Sequence, residues 1–246
     1  GLHSFLADDP ELAARARALG IRLVDLRAVP PELPVAAGRA REVAAHVTLT
    51  VGSDCNVGKM TAAWEVHRSL LARGERSAFV ATGQTGILLA GRGLAVDRMI
   101  ADFIAGAAEA LVLEAATGSD WVIVEGQGSL LHPGYSGVTL GLVHGSLPQS
   151  MILCHQATRT RIRVGEVPIA PLVELVRRYE DALAPIRSGK VIGVALNTFD
   201  LPEVEARAAL ARAQQETGLP ATDPVRFGPE PLTDALLARR TRGDAG

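Results

Sequence analysis

The fold of this chain is decided by the stretch GSDCNVGKMT, which comprises Gly52, Ser53, Asp54, Cys55, Asn56, Val57, Gly58, Lys59, Met60 and Thr61. Val47–Val51 before it predicts a buried strand, and Lys59–Arg73 predicts a helix that ends at Gly74. Glycines let a backbone curl so that successive N–H groups face one anion, and the helix N-terminus and a lysine add positive charge. The stretch therefore predicts a phosphate-binding loop for a nucleotide or a nucleotide-containing cofactor. A helix start with an incidental lysine is the alternative.

The loop departs from the standard phosphate-binding pattern in two places. Five residues, rather than four, separate Gly52 from Gly58. Met60 stands where Ser or Thr usually binds Mg²⁺, and Thr61 comes one position later. Because a helix turns about 100° per residue, Thr61 cannot replace the missing hydroxyl without a local shift. The sequence therefore favours phosphate binding over Mg²⁺-dependent phosphoryl transfer.

Apolar runs rich in β-branched residues recur along the chain, with helical patterns between them. The predicted strands are Val47–Val51, Ser77–Ala81, Trp121–Val124, Met151–Cys154 and Val191–Leu196. The predicted helices beyond the first are Asp97–Ala116, Pro171–Leu183, Pro202–Thr217 and Pro231–Arg239. This alternation predicts an α/β fold with a doubly wound, mostly parallel sheet covered on both faces. Such sheets bind ligands beyond the carboxyl ends of their strands.

The first 38 residues follow a separate pattern. A helix is expected from Asp8 to Leu19, and a strand from Ile21 to Leu26. Three prolines between residues 30 and 34 then suit an extended linker. We place a boundary near Gly38, so that residues 1–38 precede a phosphate-binding domain of residues 39–246.

Composition and charge argue against several functional classes. The 246 residues are 48% hydrophobic with a formal net charge of −2, so the chain can bury a large core but lacks the positive field that nucleic-acid binding requires. The longest apolar stretch, Met99–Ala116, contains three acidic residues, which would be costly inside a bilayer. Cys55 and Cys154 form no framework of paired spacings, so we expect a cytoplasmic protein.

An acidic residue, Glu125, ends the predicted strand Trp121–Val124 and opens the sequence EGQGS. Its carboxylate could accept a proton from an amine, hold a metal through water, or only cap the next turn. The segment that follows, Leu130–Ser146, is expected to be a long polar loop, and such loops at strand ends often form binding sites. A single histidine is more often structural than catalytic, but His132 closely follows Glu125 and precedes a proline-fixed turn.

Three other predicted strand ends carry candidate ligand groups. Thr82, Gln84 and Thr85 follow one strand and suit a phosphate or an acidic substrate, although an ordinary strand-to-helix turn is the alternative. Arg159 and Arg161 follow another, where their guanidinium groups suit a carboxylate or are simply solvated. Asn197 follows the last long strand, where its amide could bind an adenine edge or form a turn. No spacing of His, Cys and Asp matches a zinc site, so no metal is predicted.

Five segments together resemble one bacterial P-loop family: GSDCNVGKMT, ATGQTG, VIVEGQGSLLHPGYSGVTLGLVHGS, MILCHQATR and GVALNT. That family was long catalogued as a domain of unknown function, and its characterised activity is D-glutamate N-acetyltransferase with acetyl-CoA as donor. The similarity extends from Val43 to the C-terminus. The P-loop and VEGQG segments also resemble dethiobiotin synthetase, which uses Mg²⁺ and ATP. Met60 replaces its magnesium-binding Thr, and the HPGYSG segment is foreign to it.

The resemblance implies transfer of acetyl from acetyl-CoA to the amine of a D-amino acid, with D-glutamate the expected acceptor. Coenzyme A phosphates would lie in the P-loop, and Asn197 would contact the adenine. Either Glu125 or His132 would be the base, and Gln127 or Ser129 would join backbone N–H groups as oxyanion donors. The expected substrate-binding residues are Thr82, Gln84, Thr85, Tyr135, Ser136, Arg159 and Arg161.

Two other functions stay open at this point. One is a Mg-ATP-dependent ligase or kinase resembling dethiobiotin synthetase. The other is a non-catalytic nucleotide-gated switch, which the absence of an NKxD guanine-binding motif disfavours. The resemblance also implies a larger N-terminal α/β domain, of which Gly1 to Arg27 looks like the last helix and strand. We expect a homo-oligomer with a small-molecule substrate and no nucleic-acid or membrane partner.

Overall fold

The structure is a computed structural model that describes residues 4–243, with side chains over residues 4–239. The described residues form six strands: β1 (His46–Gly52), β2 (Ser77–Val80), β3 (Trp121–Val124), β4 (Ser150–Gln156), β5 (Lys190–Asn197) and β6 (Ala221–Thr222). They build one sheet in the order β2-β3-β1-β4-β5-β6, and all neighbouring pairs are parallel. This confirms the predicted α/β fold with a doubly wound parallel sheet. The sequence does not predict β6, because two residues are too few to show an alternating pattern.

Helices cover both faces of this sheet. Those of the described residues are α1 (Pro10–Ala18), α2 (Lys59–Ala72), α3 (Gln84–Ala90), α4 (Ala101–Ala116), α5 (Ser136–Ser146), α6 (Leu172–Leu183), α7 (Glu203–Thr217) and α8 (Glu230–Gly243). Val122 and Val124 of β3 pack in the core that includes α4 to α7, whereas Trp121 and Ile123 pack with α2 and α8. Successive strand residues point to opposite faces, so two apolar cores form. Within residues 4–243, no helix has both the length and the hydropathy that crossing a bilayer requires.

The prediction of a loop over Leu130–Ser146 is wrong for its second half, which is the helix α5. Its glycines allow close packing against α4 rather than loop flexibility. A Cβ atom on Gly141 would lie 2.5 Å from Cγ2 of Ile104, and one on Gly145 would lie 2.1 Å from the carbonyl oxygen of Ala105. Glycines four residues apart share one helix face, so the pattern that suggests a loop is a helix-packing surface.

The N-terminal segment contains the predicted helix but not the predicted strand. Asp9 caps α1 by accepting hydrogen bonds from two backbone N–H groups at 2.9 and 3.0 Å. The strand predicted at Ile21–Leu26 is wrong, since those residues are not assigned to a strand and pair with no strand of the described sheet. Apolar character alone does not make a strand without a neighbour to pair with. The linker is fixed to α4, where the buried carboxylate of Glu109 accepts from the N–H groups of Ala37 and Arg39.

Candidate active site

The predicted phosphate-binding loop connects β1 to α2 as expected. Asn56 and Gly58 have positive φ angles of 53° and 102°, which curl the backbone ahead of the helix. Lys59, the first residue of α2, is buried, and its Nζ donates to the carbonyl oxygen of Asp54 at 2.7 Å. Burial lowers the pKa of Lys59. A bound anion would favour the charged ammonium again, so the loop is built to receive negative charge.

The loop after β3 passes so close to Lys59 that position 126 must be a glycine. A Cβ atom on Gly126 would lie 1.6 Å from the carbonyl oxygen of Thr50 and 3.3 Å from Cδ of Lys59. The N–H of Gly126 donates to the Thr50 hydroxyl at 2.9 Å. The EGQGS segment therefore lies directly against the phosphate-binding loop.

The Asp54 side chain faces inward and holds the loop in place. Its Oδ2 accepts from Nη1 of Arg159 at 2.9 Å and from the N–H of Arg163 at 2.8 Å, while Oδ1 accepts from the N–H of Cys55 at 2.7 Å. Nη1 of Arg159 also donates to the carbonyl oxygen of Cys55 at 2.7 Å. Asp54 is fully buried, so it offers a ligand its backbone and not its carboxylate.

The Ser53 side chain, like that of Asp54, is bonded inside the protein and does not face a ligand. Its hydroxyl lies 2.8 Å from Nδ1 of His155, and the Ser53 side chain is fully buried. Burial, followed by the nearby Arg159 charge, lowers the pKa of His155 to about 4, so this imidazole is neutral at physiological pH. The Ser53 side chain therefore helps to fix the phosphate-binding loop from its buried side.

Arg159 and Arg161 were both candidates for binding a substrate carboxylate, and the structure separates them. Arg159 bonds to the P-loop, whereas Arg161 is exposed on a hairpin and donates to the carbonyl oxygen of Glu166. We expect Arg159→Met to lower the free energy of unfolding by about 2 kcal/mol, because it leaves the buried Asp54 carboxylate without its cation. Urea denaturation measures this.

Arg161→Met is the matched control for that experiment and should change stability by less than about 0.5 kcal/mol, as exposed substitutions usually do. Asp54→Asn in the Arg159→Met background should recover part of the loss, because no buried charge then lacks a partner. Equal effects of the two single arginine variants would contradict the role given to Arg159.

Glu125 lies at the end of β3 as predicted, with its carboxylate held by backbone donors. Oε2 accepts from the N–H groups of Thr82 and Gly83 at 3.0 and 3.2 Å. The residue is 3% exposed, and burial raises the pKa of its carboxyl to about 7, against the opposing effect of these donors and of Lys59. A carboxyl group with this pKa exists in both protonation states near neutral pH, which suits proton transfer.

The side chains around Glu125 orient it, and their donors are already engaged. Nε2 of Gln127 donates to Oε1 of Glu125 at 3.2 Å and to the Thr82 hydroxyl at 3.3 Å, which uses both amide protons. The Thr82 hydroxyl donates to the Glu125 carbonyl oxygen at 2.8 Å. Ser129 is fully buried, and its hydroxyl accepts from the N–H of Leu131. The amide donors of Gln127 are therefore already used, and the Ser129 hydroxyl is fully buried, so both are less available to a reacting oxygen than the sequence suggests.

His132 is buried beside the loop and has a defined tautomer. Its Nδ1 accepts from the N–H of Gly134 at 3.1 Å, so in the neutral ring this bond assigns the proton to Nε2. A ring nitrogen lies within 4.8 Å of the Asp54 carboxylate and the Cys55 thiol. The ring packs on Tyr135 with centroids 4.5 Å apart. His132 thus supplies a hydrogen-bond donor, since its one lone pair is taken.

The cluster of Asp54, Cys55 and His132 is a poor match for a metal ion. An imidazole that binds a metal through Nε2 must carry a proton on Nδ1, which would then face the N–H of Gly134. The Asp54 oxygens already accept from three N–H groups. Burial also raises the pKa of the Cys55 thiol, which opposes the thiolate form that metals bind.

A cleft of about 520 Å³ opens between the phosphate-binding loop and Glu125. The predicted residues that line it are Cys55, Asn56, Gly58, Lys59, Met60, Thr61, Gln84, Thr85, Glu125, Gln127 and Asn197. Asp97 lines it too, held by Arg27 at 2.8 Å. The predicted helix Asp97–Ala116 instead begins at Ala101, and Asp97 lies in a separate short turn. Of the other candidates, Tyr135 is half exposed against His132, and Ser136 begins α5.

A second cavity, of about 390 Å³, continues from the cleft along α2. Gly58, Thr61 and Asn197 line both spaces. The remaining walls are largely apolar and come from the phosphate-binding loop, α2, β5 and the segments after β5 and β6: Val57, Ala62, Ala195, Phe199, Asp223, Pro224, Val225 and Arg226. The two spaces form one groove with a polar end at the loop and an apolar end beyond Asn197.

Comparison with known proteins places the chain in a family. A family model described as "Domain of unknown function (DUF1611_C) P-loop domain" matches residues 34–233. The chain belongs to the DUF1611 family. A similar protein named D-glutamate N-acetyltransferase, from Tritonibacter scottomollicae, is 44% identical over 244 residues, which cover 97% of this chain and 71% of that protein.

Solved structures agree with the DUF1611 assignment. The crystal structure of a DUF1611 family protein from Anabaena variabilis is 44% identical with a TM-score of 0.92, covering 97% of this chain and 70% of that one. Cobyrinic acid a,c-diamide synthase from Mycobacterium smegmatis, with bound ADP and magnesium, is 16% identical with a TM-score of 0.52, covering 81% and 96% of the two chains. That second likeness shows a shared fold only.

Several residues of the DUF1611 site are not evident from the sequence. Tyr179 of α6 is buried, and its hydroxyl donates to the carbonyl oxygen of Gly52 at 2.7 Å and accepts from the N–H of Leu130 at 3.3 Å. It ties the end of β1 to the loop after β3, yet its spacing only indicates a core face of a helix. Phe199, Val225 and Arg226 follow the carboxyl ends of β5 and β6, so recognising β6 would have pointed to two of them.

Proposed function

We propose that this chain transfers the acetyl group of acetyl-CoA to the amine of a D-amino acid, with D-glutamate the expected acceptor. The observation that carries the proposal is the buried Glu125 carboxyl, with a pKa of about 7, on the wall of a phosphate-binding cleft. The name of the Tritonibacter scottomollicae relative supports the reaction and the acceptor. The chain's own residues support the chemistry.

The groove suits the adenosine diphosphate part of coenzyme A. Backbone N–H groups of the loop and Lys59 would hold the diphosphate, and the apolar cavity would take the adenine with Asn197 on its edge. Met60 removes the hydroxyl that usually binds Mg²⁺. Binding a diphosphate needs N–H groups and positive charge but no phosphoryl transfer, so a metal-binding hydroxyl is dispensable.

Glu125 is the proposed base, and His132 is not, because the N–H of Gly134 occupies the lone pair of His132. The ionised Glu125 takes a proton from the acceptor ammonium, and the amine nitrogen attacks the thioester carbonyl carbon. Glu125 passes this first proton to solvent and takes the second proton from the nitrogen as the C–N bond forms. The C–S bond breaks, and the coenzyme A sulfur leaves as a thiolate that takes the second proton from Glu125, which gives a neutral amide and a free thiol. The charge on the carbonyl oxygen would be stabilised by loop N–H groups, Lys59 or Nε2–H of His132.

The acceptor would lie at the end of the cleft that Gln84 and Thr85 line. These side chains offer an amide and a hydroxyl to an amino-acid carboxylate. Arg159 is bonded to Asp54, and Arg161 is bonded to Glu166 on an exposed hairpin, and neither of these two arginines lines the cleft. Gln84 and Thr85 are therefore the first residues to vary when acceptor specificity is tested.

The test is to incubate the protein with acetyl-CoA and D-glutamate and to measure thiol release and acetylated product. L-glutamate serves as the control acceptor, and EDTA is added to one series. The proposal predicts acetylated D-glutamate at the same rate with and without EDTA. Absence of that product, together with ADP formation from Mg-ATP, would favour a ligase or kinase of the dethiobiotin synthetase kind.

A further inference from the structure

We propose that Arg226 binds the 3′-phosphate of coenzyme A and so makes the groove select coenzyme A over adenine nucleotides that lack this group. The inference rests on the proposed function, since it concerns the same bound cofactor. It assigns a specificity-determining role to a residue at the end of the groove away from Glu125.

The lining of the apolar cavity carries two charged side chains. Among the described residues that line it, Arg226 is the one cation and Asp223 the one carboxylate. Asp223 is buried and fully engaged, since its oxygens accept from the N–H and hydroxyl of Thr198 and from the N–H groups of Val225 and Arg226 at 2.7 to 3.1 Å. The charge that the cavity presents to a ligand is therefore positive.

The Arg226 guanidinium is held by the protein through one of its three nitrogens. Nη1 donates to the carbonyl oxygens of Leu201 and Thr198 at 2.7 and 3.2 Å, and the Phe227 ring lies 5.5 Å from Cζ. In the part of the chain that the structure describes, Nε and Nη2 have no hydrogen-bond partner. A guanidinium anchored through one nitrogen, with two others open to solvent, matches the forked geometry that binds phosphate.

Arg226 lies at the other end of the groove from the proposed diphosphate site. Arg226 lines the cavity but not the cleft, whereas Gly58, Thr61 and Asn197 line both. A nucleotide with its diphosphate on the loop and its adenine in the cavity passes these shared residues, so Arg226 is too far along the groove to serve the diphosphate. The phosphate that coenzyme A carries on its ribose, and ATP lacks, is the group left for it.

The experiment is calorimetric titration of the whole chain with coenzyme A, 3′-dephospho-coenzyme A and ADP. We expect the wild-type protein to bind coenzyme A about tenfold more tightly than the dephospho form, as an exposed but forked ion pair allows. In Arg226→Gln the two affinities should become equal. The ADP affinity should stay within about twofold, which reports that the cavity has kept its shape.

Arg207→Gln is the matched control. Arg207 also lies over the Phe227 ring, at 4.4 Å, and is exposed, but it does not line the cavity. It should leave the tenfold preference unchanged, and Arg226→Lys should retain part of it. Equal binding of the two coenzymes by the wild-type protein, or a preference that survives Arg226→Gln, would overturn the inference while leaving acetyl transfer intact. No coenzyme A binding at all would contradict the proposed function as well.

Discussion

Glu125→Gln is expected to lower kcat for acetyl transfer by about 10²–10⁴-fold, the range that a general base contributes. Gln keeps the shape of the side chain and can still accept from the N–H groups of Thr82 and Gly83, but it cannot take a proton. The affinity for coenzyme A should change by less than about threefold, because the loop and the cavity are untouched. Thiol release and calorimetry measure the two quantities on the same preparation.

Two control variants separate proton transfer from other effects of the substitution. Glu109→Gln replaces another buried carboxylate, at the linker, and should leave kcat per folded molecule unchanged. His132→Asn keeps an acceptor for the N–H of Gly134 but lacks the Nε2–H, so it should reduce kcat without removing the pH dependence. If Glu125→Gln kept full activity, the base would have to be another residue.

The pH dependence follows from the raised pKa of Glu125. The carboxylate is the active form, so kcat/KM should rise as pH increases through about 7 and then level off. The protonated carboxylic acid accumulates below that pH and cannot accept the ammonium proton. Measuring kcat/KM against pH for both proteins tests whether Glu125 is the base. The wild-type profile should rise near pH 7, and the Glu125→Gln profile should lack this rise. A limb near pH 4.5 would indicate a carboxyl group that is not desolvated.

The second large effect is expected from Lys59→Met, which should weaken coenzyme A binding by about a hundredfold. A hydrogen bond to a charged group contributes about 1.5–3 kcal/mol, and about 1.4 kcal/mol is a factor of ten in Kd. The same substitution should leave stability unchanged or higher, because it removes a buried ammonium whose pKa is already lowered by desolvation. Calorimetry measures the expected loss of coenzyme A affinity, and thermal denaturation measures the unchanged or higher stability.

Lys190→Met is the natural control, since Lys190 is the other lysine of the chain. It is exposed at the start of β5 and pairs with Glu180, at the opposite end of the sheet from the loop. It should alter neither coenzyme A affinity nor kcat. A Lys59→Met protein that binds coenzyme A as tightly as the wild type would mean that the phosphates lie elsewhere.

The sequence predicts the scaffold well because the scaffold depends on local patterns. The glycines and Lys59 between an apolar run and a helical pattern specify the loop, and the buried parallel strands are continuous apolar runs. The predictions fail where the same sequence pattern is typical of two different structures. Gly141 and Gly145 suggest a loop but pack α5 against α4, which depends on Ile104 and Ala105, about 40 residues earlier.

The sequence predicts which residues belong to the site, but it does not predict which groups each of them contacts. Glu125 is found because it ends a strand, whereas its desolvation depends on the close approach of Gly83 and Gly86 to its carboxylate. Arg159 is found as a cation after β4, but only the folded chain shows that its guanidinium goes to Asp54. The acceptor, the oligomeric state and the boundary near Gly38 stay predictions.

The most direct test of the account is a crystal structure of this protein grown with coenzyme A and Mg-ATP together. We predict a diphosphate on the N–H groups between Asn56 and Met60, adenine beside Asn197, and a 3′-phosphorylated ribose, with no metal ion at the loop. A triphosphate on the loop with a coordinated Mg²⁺ would contradict the account.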